Sequence, residues 1–485
     1  MILQPERSAR GDPDKWRMLL WSIPAAVVLL CWLVAACLGP RPFARFNIVL
    51  EILFGAFVGI WGLWRFFQWL SRHDLFAPWI AFPIAYVVWF SIGLASIEDE
   101  PDPPPYGAII LGLVCYLAGV AAARDWRHGV NASHLQFGDD WSIQRFAPLL
   151  LAVGALTFLA YLAVGFQVGI PGLRSNPGEA RLDLLKHTIT QTFFVLGAWT
   201  VLVFLATRLW TTNQNLTTKV MLWLALAVTS ALILTLGSRG NLLQPVATVL
   251  VARHYLCRRT KIGMTLLLAA VVFVAASALG WARDTMAYTS STLRDLQFDP
   301  SSLYYLYYYI STPVATLGQI IERIPRYVPF QHGSLSFGAL TSLLPGYHNE
   351  SSDMFFRRIL GSEFIGFGQP ATLLGPMYGD FGMTGIVLQM FGLGILYTRM
   401  YSWMSRRPTF HRALMYAWVS QVILYSLFGS LLTFVTILLA PMGWILLDRF
   451  LRVPRAAGSS LAPAIATTGG HQDRVSGSRR PAGEP

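Results

Sequence analysis

Five arginines are placed to do chemistry: Arg174, Arg181, Arg239, Arg357 and Arg358. A guanidinium is planar, permanently charged and forked, so it can hold a phosphate or diphosphate through two parallel contacts without a metal. Arg239 has the most specific setting. It lies in Gly237-Ser238-Arg239-Gly240, a break between two apolar blocks, where the backbone N–H groups of the next helix would also face an anion. The other four, each taken alone, read first as headgroup anchors or loop salt bridges. Moving a proton beside such a charge needs a histidine or a carboxylate, and His332, His348, Asp353, Glu363 and Asp380 are the candidates. Each also reads as a solvated loop residue or a helix cap.

The elements that must position these residues are membrane spans. The chain of 485 residues is 54% hydrophobic and 13% charged, with a mean hydropathy of +0.49; a soluble domain carries about 25% charged residues. Its apolar residues come in blocks of about 20, the length that crosses roughly 30 Å of hydrocarbon. The expected fold is an all-α polytopic integral membrane protein with about 12 transmembrane helices, near 18–38, 47–64, 75–97, 107–123, 146–168, 189–207, 219–236, 241–256, 263–281, 382–398, 413–428 and 430–448. The first block is longer than the apolar core of a signal peptide and is expected to be retained.

Charge sets the orientation. With the N-terminus inside, 25 of the 37 Lys and Arg fall in cytoplasmic segments, which places both termini in the cytoplasm and the chain in the cytoplasmic (inner) membrane. The net charge of +12 therefore marks topology; no basic stripe interleaved with aromatics points to nucleic acid. The organisation expected is a cytoplasmic N-terminus (1–17), helices one to nine (18–281) with an outer loop at 169–186, a long extracytoplasmic loop (282–375), helices ten to twelve (376–450) and a disordered cytoplasmic tail (451–485). A connection as long as 282–375 reads as a lid or binding loop.

Other features carry less. Cys31, Cys37, Cys115 and Cys257 show no CxxC spacing, so neither a disulfide nor a zinc site is expected. The run Glu98, Asp99, Glu100 and Asp102 is interrupted by prolines and reads as a stiff solvated turn. Tyr304, Tyr305, Tyr307, Tyr308 and Tyr309 suit stacking on sugar rings, but the membrane interface alone enriches tyrosine and is the preferred reading. Glu51 lies near a helix end and reads as snorkelling outward. Ionisable residues are scarce in the spans and no internal repeat is visible, which disfavours a coupled transporter.

Three segments resemble the bacterial oligosaccharide repeat-unit polymerases, the Wzy-like O-antigen polymerases: GIPGLRSNPGEAR (169–181), LTLGSRGNLL (234–243) and FGQPATLLGPMYGDFGMTGIVLQMFGLGIL (367–396). The SRG element is also similar to one in O-antigen ligases. The resemblance implies a glycosyltransferase that passes a growing glycan from its polyprenyl diphosphate carrier to a newly flipped lipid-linked repeat unit, at the outer face of the membrane. It implies Arg181 and Arg239 as catalytic arginines and a second catalytic loop in the long outer segment, where His332, His348, Arg357 and Arg358 stay open. Of the proton-transfer candidates, His332 and His348 are expected to be catalytic, and Asp380 joins them for its place in GPMYGDFG. Arg174, Arg357, Arg358 and Tyr378, the last within GPMYGDFG, are then expected to bind substrate. No metal or other cofactor is expected. The partners implied are the polyprenyl-diphosphate-linked oligosaccharide, membrane lipids, and flippase and chain-length regulator proteins. A ligase acting on another acceptor and a lipid-linked oligosaccharide flippase stay open as alternatives. A polyprenyl-phosphate-sugar transferase is disfavoured, because GPRPFARF (39–46) lacks an acidic pair.

Overall fold

The computed structural model describes residues 74–95, 105–123, 143–170, 188–211, 215–235, 239–256, 274, 302–341, 351–361, 369–406, 409–429 and 435–451. The expected spans at 18–38 and 47–64, that at 263–281 apart from Val274, and the tail beyond 451 lie outside these residues, as do Arg174, Arg181, His348, Glu363, Glu51 and the acidic run after Ile97. The described residues fold as helices: α1 (Pro78–Ala95), α2 (Tyr106–Ala123), α3 (Ile143–Val168), α4 (Thr188–Thr211), α5 (Leu216–Thr235), α6 (Arg239–Leu256), α7 (Ser302–Arg323), α8 (Ser352–Leu360), α9 (Leu374–Arg406), α10 (Phe410–Tyr425) and α11 (Val435–Leu451). Of these, 5 are long and apolar enough to cross a membrane: α2, α3, α4, α5 and α9.

Lipid is as apolar as leucine, so helices in a bilayer associate through close packing and interhelical hydrogen bonds. Both devices are visible. The broadest interface joins α2 to α9, where a Cβ on Gly119 would collide with the Phe391 carbonyl and one on Gly394 with the Tyr116 carbonyl. The α3–α4 contact uses the same device, with Gly197 against the Thr157 side chain. Tyr86 donates to the Ile109 carbonyl at 2.7 Å and Tyr116 to the Pro78 carbonyl at 2.9 Å, tying α1 to α2. Leu151, Leu159 and Phe166 on α3, with Met221 and Leu224 on α5, stay exposed, as befits helices at the lipid boundary.

Two prolines are compensated by tryptophans. A proline has no N–H for the carbonyl four residues earlier. Pro245 leaves the Asn241 carbonyl free on α6, and the Trp199 indole donates to it at 2.6 Å. Pro441 leaves the Ile437 carbonyl free on α11, and the Trp418 indole donates to it at 3.0 Å. Trp444 donates to the Thr200 hydroxyl at 3.1 Å. The indoles pack in sequence, with ring centres 5.2 Å apart for Trp199–Trp418 and 5.0 Å for Trp418–Trp444. This buried knot joins α4, α6, α10 and α11.

At the end that the charge pattern assigns to the cytoplasm, the Asp74 carboxylate gathers residues from two helices. It accepts hydrogen bonds from Tyr255 on α6 at 3.1 Å and from Tyr401 on α9 at 2.7 Å, and lies 3.2 Å from His254 Nε2 of α6. The Phe76 N–H donates to it at 3.1 Å. Burial pushes this carboxyl up, but the hydrogen bond and charge of His254, with the Tyr401 hydroxyl and the Phe76 N–H, outweigh it and hold Asp74 below the ordinary carboxylate range. Nearby, Tyr416 and Tyr397 donate to the Phe76 carbonyl.

The segment 282–375, expected as a lid or binding loop, contains helices. Its described part carries α7 and α8, and α7 packs against α1 and α9, burying Val314, Leu317 and Ile320. At span ten, Phe381 and Gly382 leave helical geometry, so a short arm, 374–380, precedes the helix that covers the expected 382–398 and continues to Arg406. The chain can turn there because Gly382 takes φ +64, a conformation costly for a side chain with a Cβ.

Candidate functional site

The break between the seventh and eighth blocks becomes the start of α6, with Arg239 as its first residue. Gly240, next in the chain, faces the end of α10, and a Cβ there would lie 2.8 Å from the Tyr425 hydroxyl. Directly after α10 comes Ser426-Leu427-Phe428-Gly429, and Gly429 pairs with Thr372 through an isolated parallel bridge.

The bridge ties the α6–α10 corner to the segment that leads into α9. Gln369, at the start of that segment, donates its backbone N–H to the Asp353 carbonyl at 3.0 Å and its side-chain amide to the Thr316 hydroxyl at 3.3 Å. Thr372 takes φ 57 and accepts the Leu374 N–H on its hydroxyl at 3.2 Å, capping the short arm of α9. Gly240 of the GSRG element and Thr372 of the QPATLLGP stretch, far apart in sequence, are thereby joined through α10.

The rest of GPMYGDFG is explained by packing. Gly375 and Gly379 lie one turn apart on the short arm; a Cβ on the first would meet Ala371 at 2.5 Å, and on the second Leu335 at 2.7 Å, with Phe356 of α8 beside both. Asp380 is fully buried, and its carboxylate accepts the N–H groups of Leu335 at 3.1 Å and Ser336 at 2.7 Å. Both oxygens of Asp380, one of the expected catalytic residues, hold the turn at 331–337. Tyr378, expected to bind substrate, stands on the same arm. It is buried, and its hydroxyl donates to the Ile324 carbonyl at 3.2 Å, which ties the arm to the end of α7.

What Asp380 holds is the turn carrying His332. The His332 N–H donates to the Asp380 carbonyl at 3.2 Å, and the Gln331 N–H to the Gly379 carbonyl at 3.0 Å. His332 is exposed, with φ 51 and its ring 6.3 Å from that of Phe381. A left-handed conformation is uncommon outside glycine and is maintained by surrounding structure. Arg357 and Arg358 occupy the last turn of α8, where cations suit the helix dipole, and the Arg358 guanidinium lies 5.5 Å from the centre of the Phe355 ring. Arg323 donates to the Ile359 carbonyl at 2.6 Å and closes the same helix end. Asp353 sits in the first turn of α8, again the favourable end for its charge.

Sequence reasoning missed Trp199, Gln244, Gln421 and Tyr425. The available signal was polarity inside apolar blocks: glutamine in a span requires a partner or a ligand.

An all-helical membrane protein with an arginine at a helix break, joined to a glycine-rich arm, is the class that fold and site define. Residues 74–439 match the family described as "Putative O-antigen polymerase", and the chain belongs to that family. No curated protein and no solved structure matches.

Proposed function

We propose that the chain polymerises polyprenyl-diphosphate-linked oligosaccharide repeat units into a surface polysaccharide at the outer face of the cytoplasmic membrane. The family match carries this reading; the meeting of the α6 start with the α10 end and the 369–373 segment supports it. A hydroxyl oxygen of the acceptor unit bonds to the anomeric carbon of the donor glycan as the bond from that carbon to the diphosphate oxygen breaks. The electron pair leaves with the polyprenyl diphosphate, whose charge Arg239 and Arg181 stabilise. His332 or His348 takes the hydroxyl proton. Arg174, Arg357 and Arg358 serve substrate binding, and Asp380 acts by positioning His332.

Deleting the gene and sizing the surface glycan tests the proposal. Single capped units are expected, restored to long polymer by the wild-type gene and not by Arg239→Ala at equal protein level. Arg239→Lys, which keeps the charge but loses the fork, should fall between them. Free long polymer after deletion would instead indicate a ligase, and loss of all outer product a flippase.

A further inference from the structure

The α6–α10 interface holds polar atoms for which the described residues supply no partner. Gly240 faces Tyr425 at one end of this pair, and Tyr255 packs edge-on against Tyr416, ring centres 5.4 Å apart, towards the other, so the helices run antiparallel. Gln244 stands one turn in from Gly240 and Gln421 one turn in from Tyr425, so each shares the face of its helix that makes the end contact. Gln244 is 6% exposed and Gln421 3%. Among the described residues, Gln244 Oε1 and both amide atoms of Gln421 are buried without a hydrogen-bond partner, as is the indole N–H of Trp89, whose ring lies 6.2 Å from Phe428. Unpartnered buried amides are costly and require an explanation.

We infer that Gln244 and Gln421 form a subsite for the hydroxyl groups of the sugar next to the diphosphate. This inference rests on the proposed polymerase reading and deepens it. The orphaned atoms include two acceptors, Gln244 Oε1 and Gln421 Oε1, which need O–H donors. An ionised diphosphate offers no proton, whereas a sugar ring offers several hydroxyls that donate and accept. The subsite lies about one turn below the first residue of α6, so a diphosphate held at Arg239 would present its attached sugar to the amides.

The test measures binding to the purified full-length protein in detergent. The probes are bare polyprenyl diphosphate and the lipid-linked repeat unit extracted from cells lacking this gene. Gln244→Leu and Gln421→Met should weaken the lipid-linked unit about ten- to a hundredfold and leave the bare carrier within about twofold, with unchanged or raised melting temperature. Unaltered binding of the lipid-linked unit would overturn the inference and leave the amides to water or to each other. Equal weakening of both probes, or a lowered melting temperature in both variants, would overturn it as well. Arg239→Ala, measured alongside, should weaken both probes. If it weakens neither, the polymerase reading of this site fails; if it does while the glutamine variants bind normally, only the present inference fails.

Discussion

The indole N–H of Trp199 donates to the Asn241 carbonyl at 2.6 Å, the carbonyl that Pro245 leaves without its helical partner. The bond fixes the first turn of α6, two residues from Arg239. A proline near the helix start thus makes a tryptophan on α4 a positioning residue for the arginine break.

Trp199→Phe should therefore cost about 1–3 kcal/mol by leaving a partly buried carbonyl without its partner. Pro245→Ala supplies the missing N–H, so the double variant should recover part of the loss. Melting temperatures of the four proteins form the cycle; strict additivity would show that the two residues are not coupled.

His332→Gly relieves the positive φ while removing the imidazole, so it should melt at the wild-type temperature or above and lose polymer length. Asp380→Ala should act differently. It releases the 331–337 turn, lowers stability by about 1–3 kcal/mol and exposes that turn to protease, with loss of polymer as a consequence. Long glycan from well-expressed His332→Gly would remove His332 from the reaction.

Gly392 and Gly394 lie two residues apart on α9 and should respond oppositely. A Cβ at Gly392 meets nothing within 4 Å, whereas one at Gly394 collides with the Tyr116 carbonyl. Gly392→Ala should be neutral or stabilising by up to about 1 kcal/mol, from helix propensity. Gly394→Ala should force α2 and α9 apart and reduce the yield of folded protein in detergent extracts.

The Asp74 carboxyl is held below its ordinary range in the folded state, so its contribution is present above the unfolded value and is lost as pH falls through the folded one. The wild-type melting temperature should hold from neutrality to about pH 4 and then drop. Asp74→Asn should be less stable at neutral pH and show a shallower acid limb. Parallel acid limbs for the two proteins would mean that another group governs the transition.

The sequence by itself determined the helical membrane class, the approximate spans α2 to α5, and the helix break at Arg239. Those features depend on local hydrophobicity and backbone chemistry, which a short window contains. It also marked GPMYGDFG, although not its purpose. Tertiary structure alone decided that Asp380 and Tyr378 are buried holding residues, that α7 packs inside the bundle, and that Asp74 meets His254 and Tyr401. Every such pairing joins residues remote in sequence. In a bilayer all faces of an apolar helix can be equally hydrophobic, so no periodicity announces which face pairs with which; close approach at Gly119 and Gly394, and the satisfaction of buried carbonyls and carboxylates, make that choice.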